Sequence, residues 1–210
     1  MINIAITLRV SNIDKYNERR DCIDQKWIEL LITCGLNPIL IPNNLAYVEN
    51  LIEAKNLSGL ILTGGNDLEN IGGDAIERDQ VENFLLKHCI DNKIPVLGVC
   101  RGMQLIQNFF NIKLTPVTNH VDIYHKLFVS KKSKHYSFIN KLTLVNSYHN
   151  FGTLSSKPPL NTAATSEDGV VMAVEHYELP IFGHMWHPER EYPFNKDQIY
   201  FIKYFFGLFT

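Results

Sequence analysis

The sequence contains no apolar run approaching the roughly 18 uncharged residues that a membrane-spanning helix needs. Its first ten residues, MINIAITLRV, lack a basic stretch, a long apolar stretch and a small-residue cleavage site, so no secretory signal is expected. Basic charge is not in excess either: 20 Lys and Arg against 22 Asp and Glu give a formal net charge of −2. Nucleic-acid binding and polybasic membrane association both call for such an excess, and both are disfavoured. An anionic small molecule is not excluded, because its site needs only a few basic groups. Cysteine is scarce. Cys22, Cys34, Cys89 and Cys100 form no C-x-x-C pair and have no histidines at zinc-finger spacing, which argues against a disulfide framework and for reduced thiols. Internal repeats, low-complexity tracts and linkers are missing too. The expectation is one cytoplasmic domain across residues 1–210, with a hydrophobic content of 45% ample for its core.

What is present alternates. Ile2 to Leu8 reads as a β-branched strand, and Asp21 to Cys34 carries Ile23, Trp27, Leu30, Leu31 and Cys34 at helical spacing, with Gly35 as the residue that ends the helix. Strands follow at 38–41, 60–63 and 95–99, separated by helices over 45–55 and 75–92. A further helix over about 101–110 follows the last of these strands without a break. Strands alternating with helices of this length predict an α/β fold with a doubly wound, mostly parallel sheet. From Leu114 to Val174 short β runs and turns dominate, predicting a β-rich lobe or antiparallel strands added to the main sheet. A strand at 181–186 and an aromatic-rich helix at 196–209 close the chain.

The segment PVLGVCRGMQ, residues 95–104, is the most informative. A buried strand runs directly into a helix, and Cys100 sits at the junction between Gly98 and Gly102. A nucleophile flanked in this way by glycines occupies a strained turn, and the glycines relieve its crowding. The thiol is thereby held at the carboxyl edge of the sheet, where open α/β proteins bind ligands, and at a helix N-terminus that favours thiolate. The Arg101 N–H points into the same space and is suited to an oxyanion. A buried structural cysteine is the plainer alternative, and the one that fits Cys22, Cys34 and Cys89.

A thiolate nucleophile needs a histidine, and the histidine an orienting group. Among eight histidines, His187 stands out by following the strand IFGHMW and opening H-P-E-R. Pro188 favours an extended His187, and in extended chain residues two apart share a side, which puts Glu189 beside the imidazole. A strand-end histidine with a surface glutamate is the alternative; a zinc site from His184, His187 and Glu189 fits less well, since His184 faces away if the strand persists. His120 and His125 flank the acidic loop NHVDIYH and read as solvated, with a place at the mouth of the site as the alternative; His88, His135 and His176 read as structural or exposed. Trp27 reads as core, and Trp186 as core or pocket wall.

Taken in order, LTGGND (62–67), GVCRGMQ (98–104), VNSYHN (145–150), DGVVMAVEH (168–176) and GHMWHPE (183–189) resemble the class I glutamine amidotransferase superfamily. The similarity is greatest to its γ-glutamyl hydrolase branch, which includes the γ-glutamyl-γ-aminobutyrate hydrolases. The resemblance implies a flavodoxin-like fold and cleavage of a γ-glutamyl amide through a thioester on Cys100, with His187 as base and Glu189 as orienter. It implies an oxyanion hole from the Gly64–Gly65 loop and Arg101, and a glutamyl site from Gln104, Asn146, Ser147 and His149. It calls for no cofactor, no metal, and no partner beyond a small γ-glutamyl substrate. The alternative within the superfamily is a glutaminase component that passes ammonia to a separate synthase. The chain is shorter than the γ-aminobutyrate branch, and its block LRVSNIDKYNERRD differs. In this it is similar to compact hydrolases of surface-polysaccharide clusters that act on γ-glutamyl-CDP-amidate. Arg9, Arg19 and Arg20 would then face a phosphate-bearing leaving group; the alternative for them is a solvated helix start with i,i+4 charge pairing.

Overall fold

The computed structural model describes residues 2–54 and 56–209. Lys55, the predicted end of the second helix, lies outside them. The chain begins with β1 (Ile2–Thr7), β2 (Arg9–Ile13), β3 (Glu18–Cys22), α1 (Gln25–Thr33), β4 (Leu36–Ile41), α2 (Leu45–Ala54) and β5 (Gly59–Leu62). It continues through α3 (Ile76–Asn92), β6 (Val96–Val99) and α4 (Arg101–Phe109). The second half holds β7 (Thr115–Pro116), β8 (Val121–Lys126), β9 (Phe128–Val129), α5 (Tyr136–Ile139), β10 (Leu144–Tyr148) and β11 (Phe151–Gly152). Last come β12 (Leu160–Thr165), β13 (Val171–His176), β14 (Ile181–His184) and α6 (Lys196–Phe205).

One sheet of eight strands, in the order β4-β1-β5-β6-β14-β13-β12-β9, organises the molecule. The first five are parallel, in the 2-1-3-4-5 order of flavodoxin-like sheets, and the remaining three pair antiparallel. Every residue of β5, β6 and β14 is buried, as strands with both faces covered must be. The β-rich second half extends this sheet and adds two small pairs, β8 with β10 and β7 with β11. No helix among the described residues is long and apolar enough to cross a membrane.

Residues 9–22 depart from the predicted helix start. They form a hairpin, β2 with β3, turned at Asn17 in the left-handed region. Arg19, Arg20 and Asp21 alternate across paired strands instead of following a helical face, and α1 starts only at Gln25, after Asp24 caps it by accepting from the Lys26 amide at 2.9 Å. At its other end Gly35 takes a φ of 76°, as expected of the residue that ends a helix. The final helix stops at Phe205, short of the predicted 209.

Candidate active site

Three parallel strands, β1, β5 and β6, point their carboxyl ends at one spot, and β14 delivers His187 to it three residues beyond its own end. At the end of β6, Cys100 takes φ 52° and ψ −107°. A side chain in such a conformation costs on the order of 1–3 kcal/mol, so the surroundings must impose it. They do so by backbone bonds: the Cys100 amide donates to the His184 carbonyl at 2.7 Å, and the Cys100 carbonyl accepts from the Gln104 amide at 3.1 Å. The flanking glycines are required by close approach. A Cβ at Gly102 would stand 2.1 Å from the Leu62 carbonyl oxygen, and one at Gly98 2.7 Å from the Gly102 carbonyl oxygen. Cys100 keeps 6% of its surface open.

His187 is extended, with φ −115° and ψ 94°. The chain then turns into a short 3-10 segment, Pro188–Arg190, not the continued strand expected, and the turn brings Glu189 back under the ring. Glu189 Oε1 lies 2.7 Å from His187 Nδ1. A carboxylate only accepts, which makes Nδ1 the donor and leaves the buried Nε2 as the ring nitrogen available to Cys100. Burial disfavours the charged ring, but the Cys100 thiolate and the Glu189 carboxylate outweigh it and push the His187 pKa up to about 9. Gly64 fills the seam between the two side chains; a Cβ there would stand 2.8 Å from His187 Cε1 and 3.5 Å from Cys100 Cβ. Through neutral pH this arrangement holds a charged imidazolium beside Cys100.

Gly65 and Arg101, which share a cleft with Cys100, carry backbone amides free of carbonyl partners among the described residues. A trans peptide directs its carbonyl and its N–H to opposite sides. The Gly64 carbonyl accepts from Arg78 Nη2 at 3.2 Å in the interior, so the Gly65 N–H points the other way, toward the cleft. The Cys100 carbonyl is taken by the α4 ladder, which leaves the Arg101 N–H free at the start of that helix.

Two clefts meet at Gly65, and Cys100 lines the first of them. The first, about 270 Å³, is walled by Cys100, Gln104, Tyr148, His149 and Asn150. The second is walled by His187, Glu189, Arg9, Arg190, Trp27 and Cys22. In the first cleft Gln104 is fixed by donating from Nε2 to the Phe151 carbonyl at 2.9 Å. His149 places Nδ1 3.0 Å from the same carbonyl and leaves a buried, unpartnered Nε2. Burial, with His120 adding to it, pushes the His149 pKa down to about 3, so its ring is neutral where that of His187 is charged.

Other residues expected in the site are engaged elsewhere. Asn146 holds the His187 backbone on both sides, accepting from its amide at 2.7 Å and donating to its carbonyl at 2.9 Å. Ser147 is fully buried and donates to the His120 carbonyl at 2.8 Å. Neither lines the cleft, since Asn146 is committed to the His187 backbone and Ser147 to His120, whereas Tyr148 and His149 do line it. Arg19 is bound to Glu77, Asn12 and the Asp74 carbonyl, and Arg20 to Glu18, so both sit on the outer hairpin with their charge matched. Arg9 does line the second cleft, beside Gly65, and shares its wall with Asp24 and Glu189. His120 and His125, expected to be solvated, are buried and stacked at 4.1 Å, with His120 against Asp168 at 3.0 Å. Trp186 is core, stacked on His184, and His184 Nδ1 turns to the Trp186 carbonyl, away from His187. Cys34 and Cys89 are buried with pKa values pushed up to about 12 by burial, whereas Cys22 is half-buried at the edge of the second cleft.

Sequence reasoning missed Arg78, Glu82, Tyr148 and Arg190. Tyr148 meets His187 edge-on at 5.7 Å and carries the Arg190 guanidinium on its face at 4.3 Å. The spacing of Arg78 and Glu82 was a signal, but the same i,i+4 pair marks an exposed helix face just as well.

The peptidase C26 family model matches residues 1–189. γ-Glutamyl-CDP-amidate hydrolase of Campylobacter jejuni is 34% identical, covering 98% of both chains. A glutamine-hydrolysing GMP synthase subunit of Pyrococcus abyssi is 28% identical, covering 74% of this chain and 77% of its own. Among solved structures, a protein of Thermoplasma acidophilum described as a GMP synthase subunit superposes with a TM-score of 0.71 at 21% identity, over 99% of this chain and 94% of that one. The glutaminase domain of Trypanosoma brucei CTP synthase, solved with bound acivicin, gives 0.68 at 14% identity over 97% and 92%. Both share the fold. With residues 1–189 matched to the family model, this chain belongs to the peptidase C26 family, the γ-glutamyl hydrolase branch of the class I glutamine amidotransferase-like superfamily.

Proposed function

We propose that residues 1–210 act as one cytoplasmic hydrolase domain that cleaves a γ-glutamyl amide, with Cys100 as nucleophile, His187 as proton carrier and Glu189 as its orienter. The observation that carries this reading is the strained Cys100 at the start of α4, coupled to a buried His187 whose Nδ1 is committed to Glu189 at 2.7 Å. The thiolate Sγ attacks the γ-carbonyl carbon, forming a C–S bond while the π electrons move to oxygen. The Gly65 and Arg101 N–H groups face that oxygen and stabilise its charge. Collapse of the intermediate breaks the C–N bond, and the leaving nitrogen takes the proton from His187 Nε2. Water then attacks the thioester with His187 as base, and the C–S bond breaks to release glutamate and regenerate the thiolate. Gln104 and the neutral His149, whose free Nε2 is an acceptor, are suited to the α-carboxylate and α-ammonium of the glutamyl group. The steps described use no metal or cofactor.

For the amine side we propose a nucleotide phosphoramidate. A relative that matches end to end is named for hydrolysis of γ-glutamyl-CDP-amidate, and Arg9 offers a guanidinium in the cleft that His187 and Gly65 line. A glutaminase component serving a separate synthase is the second reading, favoured by the presence of GMP synthase components in the set of relatives. Steady-state release of glutamate separates these. Purified protein should hydrolyse a γ-glutamyl nucleotide phosphoramidate faster than γ-glutamyl-γ-aminobutyrate or L-glutamine, with all activity lost in Cys100→Ala. Activity confined to L-glutamine, and then only with a synthase present, would favour the second reading.

A further inference from the structure

Beneath the site, α3 and the start of α4 place two buried arginines and a buried glutamate between the strand ends, and no step of the proposed mechanism uses their side chains. Arg78 is fully buried. Its Nη2 donates to the Thr63 carbonyl at 2.8 Å and the Gly64 carbonyl at 3.2 Å, and its Nη1 donates to the Gly65 carbonyl and to Asn66 Oδ1. Three successive carbonyls at the end of β5 are thus drawn to one planar fork. Its Nε is taken by Glu82 Oε1 at 2.9 Å, and the other oxygen of Glu82 accepts from Arg101 Nη1. Arg101 also binds Asp79. Thr7, at the end of β1, donates to Glu82 at 2.7 Å while its Oγ1 accepts from the Thr63 amide at 3.1 Å.

We propose that Arg78 is a positioning residue for the oxyanion hole, aiming the Gly65 N–H by holding the Gly64 carbonyl on the far side of the same peptide. Glu82 is the joint that keeps this peptide in register with the Arg101 amide. The inference rests on the hydrolase reading above. Its physical basis is the peptide plane: an N–H can point at the substrate oxygen only if its partner carbonyl is held opposite, and Gly65, at φ 81°, lies where the backbone is otherwise free to flip. Arginine is required because its fork reaches several acceptors in one plane while lysine offers a single compact charge. The contribution belongs to the transition state, since the oxyanion exists only there.

Arg78→Lys keeps the positive charge beside Glu82 and tests the geometry; Arg78→Met tests the charge as well. The measurements are kcat and KM for glutamate release, and the rate of Cys100 carboxamidomethylation by iodoacetamide, followed by peptide mass spectrometry. Alkylation needs the thiolate but no oxyanion hole. For Arg78→Lys the expected result is a kcat lower by on the order of 10²-fold, with KM and the alkylation rate each within about threefold of the unsubstituted protein. A kcat within about threefold of the unsubstituted protein would overturn the inference, since the aim of the Gly65 amide would not depend on the fork. An alkylation rate that falls as far as kcat would overturn it too, because the whole site would then have been disturbed. If the unsubstituted protein releases no glutamate above the Cys100→Ala background, the hydrolase reading falls and takes the inference with it. Should Arg78→Lys fail to fold, Asn66→Ala, which removes one acceptor of the same fork along with its two bonds to the Val10 backbone, lowers kcat in smaller measure at an unchanged alkylation rate or refutes the inference.

Discussion

The two strand ends that meet at the site, β6 carrying Cys100 and β14 carrying His187, are held by different means. The Cys100 side rests on ions: Arg78, Glu82, Arg101 and the partly buried Asp79 form a closed network under the elbow and the Gly64–Gly65 loop. The His187 side rests mainly on neutral groups, with Asn146 gripping the backbone and Tyr148 abutting the ring; its charged groups are Glu189 and, 3.9 Å from it, the more exposed Arg190. The difference follows from what each side must do. Around Cys100 the backbone is forced into a left-handed turn and its carbonyls pulled one way, which takes strong, directional donors fixed in the interior. Around His187 the ring must change charge during turnover, and a dense ionic network there would resist that change.

The comparison makes Glu82 the most costly single residue to remove. Glu82→Gln leaves two buried guanidinium groups facing a neutral amide, and should destabilise the fold by about 3–5 kcal/mol in urea unfolding. A loss below about 1 kcal/mol, as for an exposed pair, would mean that the ions under the elbow are not structural. On the other side the cost should fall on catalysis. Glu189→Gln should lower kcat by on the order of 10²-fold, since the ring loses the anion that fixes its tautomer. It should also move the alkaline limb of kcat/KM to lower pH. His187 is raised to about 9 in the folded chain, so its charged form supports stability fully below its ordinary value near 6.5 and loses that support as pH rises through about 9; removing one of the two anions shifts the upper bound downward. An unmoved limb would show that Cys100 alone sets the histidine. Asn146→Ala should be milder, with kcat reduced by roughly tenfold and stability by about 1–3 kcal/mol from the His187 amide and carbonyl left unpaired. The smallest effects belong to the outer hairpin. Arg19→Ala and Arg20→Ala should each cost less than about 1 kcal/mol and leave kcat/KM within about threefold, whereas Arg9→Ala should raise KM for a nucleotide phosphoramidate without changing that for L-glutamine. Equal behaviour of the three arginines would remove Arg9 from the leaving-group side.

The same contrast explains what the sequence made legible. The elbow is encoded locally: a glycine on either side of Cys100 and a strand running into a helix mark the turn without knowledge of anything distant, and the parallel pairing of the sheet follows from the alternation of strands and helices. The His187–Glu189 pair is local too, although a short 3-10 turn after Pro188, not extended chain, closes the 2.7 Å contact. Residues whose role depends on a partner far along the chain could not be read. Arg78 lies in a helix whose polar residues suggest an exposed face, yet three carbonyls from residues 63–65 draw it inside. Asn146 and Ser147 sit in the VNSYHN segment, and only their bonds to distant partners, the His187 backbone and His120, show that they are engaged away from the cleft. The charged hairpin at 9–22 carries no apolar periodicity to distinguish it from a helix start, and its β pairing comes from chain geometry between β1 and α1.

The central claim, a γ-glutamyl thioester on Cys100, is most directly tested by acid-quenching the protein within its first turnovers on a γ-glutamyl nucleotide phosphoramidate or L-glutamine and weighing the Cys100 peptide. That peptide should be heavier by one glutamyl acyl group, with the adduct absent from Cys100→Ala and decaying as glutamate appears. Sustained glutamate release with no adduct on Cys100, or release that survives Cys100→Ala, would contradict the claim.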